Sequence, residues 1–171
     1  MSFTFETRYD AKNMAILARA MRKTIRKKRS RRSHIFGWIV TALALSLLLA
    51  GGFALSTRTV VTSAAVLMLL TVLLFEDRIN GSIAKKRALP GTEKAVTVFS
   101  EQGFRTTTDI GETEWRYDKI CLVAETADFF VFIFSASHGQ LYDKRAMRGG
   151  TADDFRRFIE TATGKQVQRI D

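Results

Sequence analysis

The hydrophobic pattern of the chain changes character several times. At the start Phe3, Phe5 and Thr7 alternate with Thr4, Glu6 and Arg8, the period of two of a short strand. From Asp10, a suitable N-cap, the period lengthens. Met14, Leu17, Ala18, Met21 and Ile25 then recur at helical spacing with Lys and Arg opposite, which predicts an amphipathic helix. Residues 35–55 (IFGWIVTALALSLLLAGGFAL) have no polar period and no charged side chain over 21 positions. About 20 residues are needed to cross the hydrocarbon layer as a helix. After a polar break at 56–59 a second apolar stretch runs over 60–75 and stops against Glu76, Asp77 and Arg78. Long helices of soluble proteins normally carry a polar stripe, and neither stretch has one. The pattern predicts two spans, about 35–55 and 58–75, in a tight helical hairpin, because an extended connection would leave backbone groups unpaired in lipid.

Beyond the hairpin (34–78) comes a linker, 79–94, with the single proline, Pro90, and then a different kind of chain at 95–171. Strand signals separated by turn residues occur at 95–99, 104–110, 113–117, 120–125, 129–134 and 140–144. The run FFVFIF is the most apolar and is expected to be central. A helix closes the chain. Thr151 and Asp154 form a capping-box pair, Phe155, Phe158, Ile159 and Ala162 share one face, and Gly164 suits the C-terminal cap. The fold class expected is a membrane α+β protein: a two-span hairpin plus an antiparallel meander of about five to seven strands whose apolar face is covered by the last helix. Trp115 and FFVFIF are expected to pack beneath Phe155, Phe158 and Ile159. Residues 1–33 supply a separate strand and basic helix. That helix has two open fates, the lipid interface or the surface of the C-terminal domain.

Charge gives the hairpin a direction. The net charge of +10 is local: residues 1–33 hold 11 Lys/Arg against 2 Asp/Glu, while 76–171 hold 15 of each. A nucleic-acid-binding domain spreads its basic footprint over a folded surface, whereas Arg26, Lys27, Lys28, Arg29, Arg31 and Arg32 sit directly against the first span. Arg78, Lys85, Lys86 and Arg87 follow the second span, and only Arg58 lies in the turn. The positive-inside rule then places both termini in the cytoplasm and the protein in the cytoplasmic (inner) membrane. The same cations are candidate contacts for anionic lipid headgroups. A second candidate anion or lipid contact is Lys144, Arg145 and Arg148, near the start of the last helix.

Other chemistry is sparse. One cysteine, Cys121, allows neither a disulfide framework nor a zinc site. Ser137, His138 and Asp143 lie too close along a hairpin to converge as a triad. Neither span holds an ionisable group of the kind an ion path requires. Ala42, Ser46 and Ala50 recur on one face of the first span, with Ser63, Ala64 and Ala65 as a partner surface, so close helix approach or homo-oligomer contact is expected there. No catalytic, metal or cofactor-binding residue is assigned.

The segments VTVFSEQGFRTTT, TEWRYDKICLVAETADFFVFIF, LYDKRAM and DDFRRFIE, together with the order strand, helix, hairpin and domain, resemble the YcxB-like bacterial membrane proteins. Trp115 with Ile120, and Lys144 with Arg145, fall where that family places an aromatic with an isoleucine and a Lys-Arg pair. Asp143 stands where the family more often has a proline. The resemblance implies a PH-like domain, a bent antiparallel sheet capped by a C-terminal helix, and implies no activity. The expectation is a non-enzymatic, membrane-tethered binding or regulatory module with a protein partner. The alternatives are an accessory subunit of a membrane enzyme or transporter, and a nucleic-acid-binding basic arm.

Overall fold

In a computed structural model, which describes residues 2–51 and 56–170, the first strand joins the C-terminal ones. β1 (Phe3–Arg8) pairs antiparallel with β2 (Lys94–Phe99), from Phe3 opposite Phe99 to Arg8 opposite Lys94. Its other edge pairs with β8 (Met147–Arg148). β3 (Phe104–Thr108) and β4 (Gly111–Trp115) extend this sheet to the order β4-β3-β2-β1-β8. A second sheet has the order β7-β6-β5-β9, built from β5 (Leu122–Glu125), β6 (Phe129–Ile133), β7 (Gly139–Asp143) and β9 (Gln168–Arg169), with β9 parallel to β5. The expected single antiparallel meander is thus corrected to two sheets, one of them mixed. β8 and β9 have two residues each, too few for alternation to show in a sequence.

The sheets enclose an aromatic core that includes Phe3, Phe5, Phe99, Phe104, Phe130, Phe132 and Tyr142, closed by Phe155 and Ile159 of α4 (Ala152–Thr163). The Phe155 ring meets Phe5 at 4.6 Å, Phe130 at 4.8 Å and Phe99 at 4.9 Å. Fully burying side chains of this size stabilises by about 1.5–3 kcal/mol each. The helix forms as its sequence requires: Thr151 and Asp154 make the reciprocal capping box, and Gly164 caps the end at φ 65°. Two details of the expected packing change. Trp115 is not beneath α4; it stacks on Phe134 at 4.5 Å and His138 at 5.5 Å at the edge of the core. Phe158 is half-buried, against Phe3 and Tyr117.

β6 is buried along its whole length. Phe130 and Phe132 face the aromatic core, while Phe129, Val131 and Ile133 face a second cluster with Leu17, Ala20 and Met21 of α1 (Ala11–Lys23). A strand covered on both sides has no use for alternation, which is why FFVFI reads as one apolar run. The two fates of α1 are resolved in favour of docking on the sheet. Asp10 caps it by accepting from the Asn13 N–H, and Ile25, beyond its end, is exposed.

The chain breaks helix at Thr24, whose Oγ1 donates to the Ala20 carbonyl, and resumes as α2 (Lys27–Ala50). The return helix is α3 (Thr57–Arg87), capped by Ser56. Both are long and apolar enough to cross a membrane by length and composition, and only 6 % of the apolar window of each is buried. Residues 52–55, the expected end of the first span, lie outside the described residues. Residues 79–87, expected in a linker, continue α3 past a non-helical Phe75 (φ −113°, ψ 19°). This polar arm crosses α1 so closely that a Cβ on Gly81 would lie 2.4 Å from the Ala15 nitrogen. Within one chain the small-residue stripe is not the contact between the long helices: Ala42, Ser46 and Ala50 are exposed, and α2 meets α3 through Gly37, where a Cβ would lie 2.7 Å from the Leu73 side chain. Thr41, one turn on from Gly37, is 1 % exposed with its hydroxyl donating to the Gly37 carbonyl.

Candidate functional site: the basic collar at the root of the hairpin

The basic block is helical from Lys27 and continuous with the first apolar helix. Lys27, Lys28, Arg29, Arg31 and Arg32 are all exposed. No side chain caps the helix start, and its first turn holds no acid. Cations crowded at a helix N-terminus are disfavoured by the macrodipole, so the fold tolerates this arrangement rather than gaining from it. Arg26 is different, because its Nε donates to the Ala136 carbonyl at 2.6 Å and ties the collar to the β6–β7 turn.

Below the collar, two side-chain contacts join three helices. Arg22 of α1 makes a bidentate pair with Asp77 of α3, at 2.7 and 2.5 Å. His34 of α2 meets Glu76 of α3 at 2.5 Å. These contacts fix the helices where α3 changes from apolar to charged. Neither pair was visible in the sequence, since partners 55 and 42 residues apart leave no spacing signal.

The second candidate cluster is divided among internal partners. Lys144 Nζ donates to Glu125 at 2.6 Å and to the Thr126 carbonyl. Arg156 of α4 holds the same carboxylate with two bonds, at 2.7 and 2.8 Å. Burial alone would raise the Glu125 carboxyl, but the bonds from Arg156 and Lys144 outweigh it and hold it below its ordinary value. Glu125 therefore cross-ties β5, the turn after β7 and α4. Arg145 pairs with Asp143 at 2.7 Å and lowers its carboxyl, while Asp143 accepts from the Arg145 N–H and so shapes the turn where the resembling family has a proline. Arg145 nevertheless stays exposed, as does Arg148 in β8, so only Lys144 is drawn into the body. His138 directly precedes β7 and Asp143 ends it, about 17 Å apart at strand rise, so they and Ser137 do not assemble. Cys121 is exposed and donates to the Phe134 carbonyl. Among the described residues no three His, Cys, Asp or Glu side chains converge on a metal position.

Two long apolar helices inserted between neighbouring strands of an α+β body define a class of chain in which a folded module is built onto a helical hairpin. Residues 99–161 of this chain match the sequence model of the family described as YcxB-like protein, in agreement with the resemblance carried by the strand and helix motifs. The match begins at the end of β2 and ends within α4, leaving β1, α1 and both long helices outside it. No curated protein matches the chain.

Proposed function

We propose that this protein is a two-pass protein of the cytoplasmic membrane whose body is a cytoplasmic, PH-like, non-enzymatic binding module held at the lipid surface. The observation that carries this reading is the pairing of β1 with β2. Those strands are neighbours in one sheet, and the whole hairpin is the connection between them, so both ends of the hairpin start from the same body. The lysines and arginines that flank α2 and α3 assign that side to the cytoplasm. The PH-like assignment is supported by the order of elements, β1 to β4 in one sheet, β5 to β7 in the other and α4 closing the core. Action by binding is supported by the use made of the body's ionisable groups, with Glu125, Lys144 and Arg156 engaged in holding sheet to helix. The occupant of such a module is a protein partner, and self-association through the outward face of the hairpin belongs to the same reading.

The test is site-directed labelling of intact cells in a Cys121→Ser background. A cysteine at Ser56 is expected to react with an impermeant reagent from outside, whereas one at Lys165 reacts only after permeabilisation. Reaction at Lys165 in intact cells would overturn the topology. Crosslinking of the full chain in mild detergent then identifies what the body holds.

A further inference from the structure

A cleft of about 590 Å³ opens where the α1–α2 break faces the C-terminal strand. Its ionisable lining comes from three places: Arg22 and Lys23 at the end of α1, Lys27, Arg31 and His34 on one face of α2, and Arg169 of β9. Among the described residues no carboxylate is part of that lining. Arg22 is engaged by Asp77 and His34 by Glu76. Lys27, Arg31 and Arg169 have no anionic partner among the described residues, and each is exposed. Like charges converging on one concavity repel, and the positive end of the α2 dipole adds to the same field. Lys28, Arg29 and Arg32, equally exposed on the same helix, do not line it.

We infer that this cleft is a binding site for a phosphate ester, supplied by the headgroup of an anionic phospholipid. The volume is in the range of small-ligand sites, and guanidinium and ammonium groups suit phosphate oxygens. Position argues for lipid over a soluble phosphate: Ile35, where the apolar run begins, directly follows His34 of the lining. The two walls of the cleft belong to different parts of the chain. Arg169 sits on β9, which is held to β5 by pairing and by the Ile170 N–H donating to the Glu125 carbonyl. A bridging phosphate would therefore join the end of the folded body to the root of the hairpin. This inference rests on the membrane-tethered reading. That reading is tested separately, by whether the full chain stays with membranes through alkaline and high-salt extraction.

The experiment uses the full chain in neutral detergent micelles at physiological salt, where no bulk surface potential gathers lipid. Phosphatidylglycerol and phosphatidic acid are titrated against phosphatidylcholine, with glycerol phosphate and inorganic phosphate as soluble arms, and bound species are read by native mass spectrometry. The anionic lipids are expected to bind with one-to-one saturation and phosphatidylcholine not to. Arg169→Gln, and Lys27→Gln with Arg31→Gln, are each expected to weaken that binding roughly tenfold. Arg29→Gln with Arg32→Gln is expected to change it less than about twofold. Competition by glycerol phosphate at equal affinity would assign the site to a soluble phosphate ester and overturn the lipid source. Absence of binding, or equal loss in all variants, would overturn the site. The substituted side chains are exposed, and an unchanged melting transition confirms that each variant has folded.

Discussion

The body and the hairpin are built from similar apolar side chains and treat them in opposite ways. Phe5, Phe99, Phe130 and Phe155 are each 0 % exposed, whereas Phe36, Leu49 and Met68 of the hairpin are 69 %, 68 % and 71 % exposed. The difference lies in what the chain supplies as a cover. In the body the large apolar faces meet other elements, though Val96, Val98 and Ile110 stay exposed: the two sheets face each other, α4 closes the gap, and α1 covers the far side of β6. In the hairpin only 6 % of the apolar window of each helix is buried, and the remainder turns outward. Folded proteins in water rarely expose apolar patches beyond a few hundred Å², so the membrane reading provides the apolar solvent that the chain itself does not. Hydrophobicity thus specifies two different outcomes, and the covering element decides between them.

The contrast is broken most severely at the centre of the body. Phe155→Ala is expected to remove about 3–5 kcal/mol, near the lower end of whole-domain stability, read by denaturation of the full chain in mild detergent. Next comes the buried cross-tie. Glu125→Ala removes the carboxylate that Lys144 and Arg156 share, and because Lys144 keeps the Thr126 carbonyl, Arg156 keeps Asp153, and the two side chains are 15 % and 21 % exposed, the expected loss is reduced to about 2–3 kcal/mol. The same group gives a pH dependence. Its carboxyl is held below the ordinary 4.5 in the folded protein, so its stabilisation is fully present above that pH and is lost as pH falls through the lower folded value. Glu125→Gln should flatten the acid limb of the stability profile, and an unchanged limb would show that Glu125 is not the group responsible.

A smaller effect sharpens the boundary between the two regions. Replacing glycine by alanine inside a helix normally gains up to about 1 kcal/mol. Gly81→Ala should instead destabilise by about 1–3 kcal/mol, because the new Cβ meets the α1 backbone at Ala15. A gain in stability would mean that α1 and α3 do not cross there. The smallest effect belongs to the hairpin's outer surface. Leu47, 56 % exposed, should tolerate alanine with a change within about 0.5 kcal/mol. A loss comparable to that of Phe155→Ala would erase the difference between the regions.

Much of this was legible wherever the cause is local. The Asp10 cap, the Thr151–Asp154 capping box, the Gly164 cap, both long helices and seven of the strands follow from neighbouring residues in the sequence. Centrality of FFVFI was legible too, because continuous apolar side chains signal a strand covered on both faces. What escaped is non-local. Nothing near Phe3 announces that its partner is Phe99, and nothing near Glu125 announces Lys144 and Arg156. Trp115 was drawn toward α4 by its size, although Phe134 and His138 lie closer to it in the fold. Of the candidate contacts, the collar cations remain outward as their helical register suggests. Lys144, though, is absorbed by Glu125, an acid 19 residues away whose proximity only the fold creates, while Arg145 pairs with its near neighbour Asp143 and stays exposed.

The insertion of the hairpin between β1 and β2 also sets an order in time. Residues 3–8 leave the ribosome well before β2, their main sheet partner, which begins at Lys94. At 5–20 residues per second, roughly 4 to 17 s of synthesis separate the two strands. During that interval Phe3 and Phe5 have no β2 to lie against, and the two apolar helices emerge before the body can close. The aromatic core is therefore assembled after the hairpin, from elements on both sides of it. A molecule whose hairpin goes astray keeps its first strand from its partner, so completion of the body reports that the hairpin has returned to its starting point.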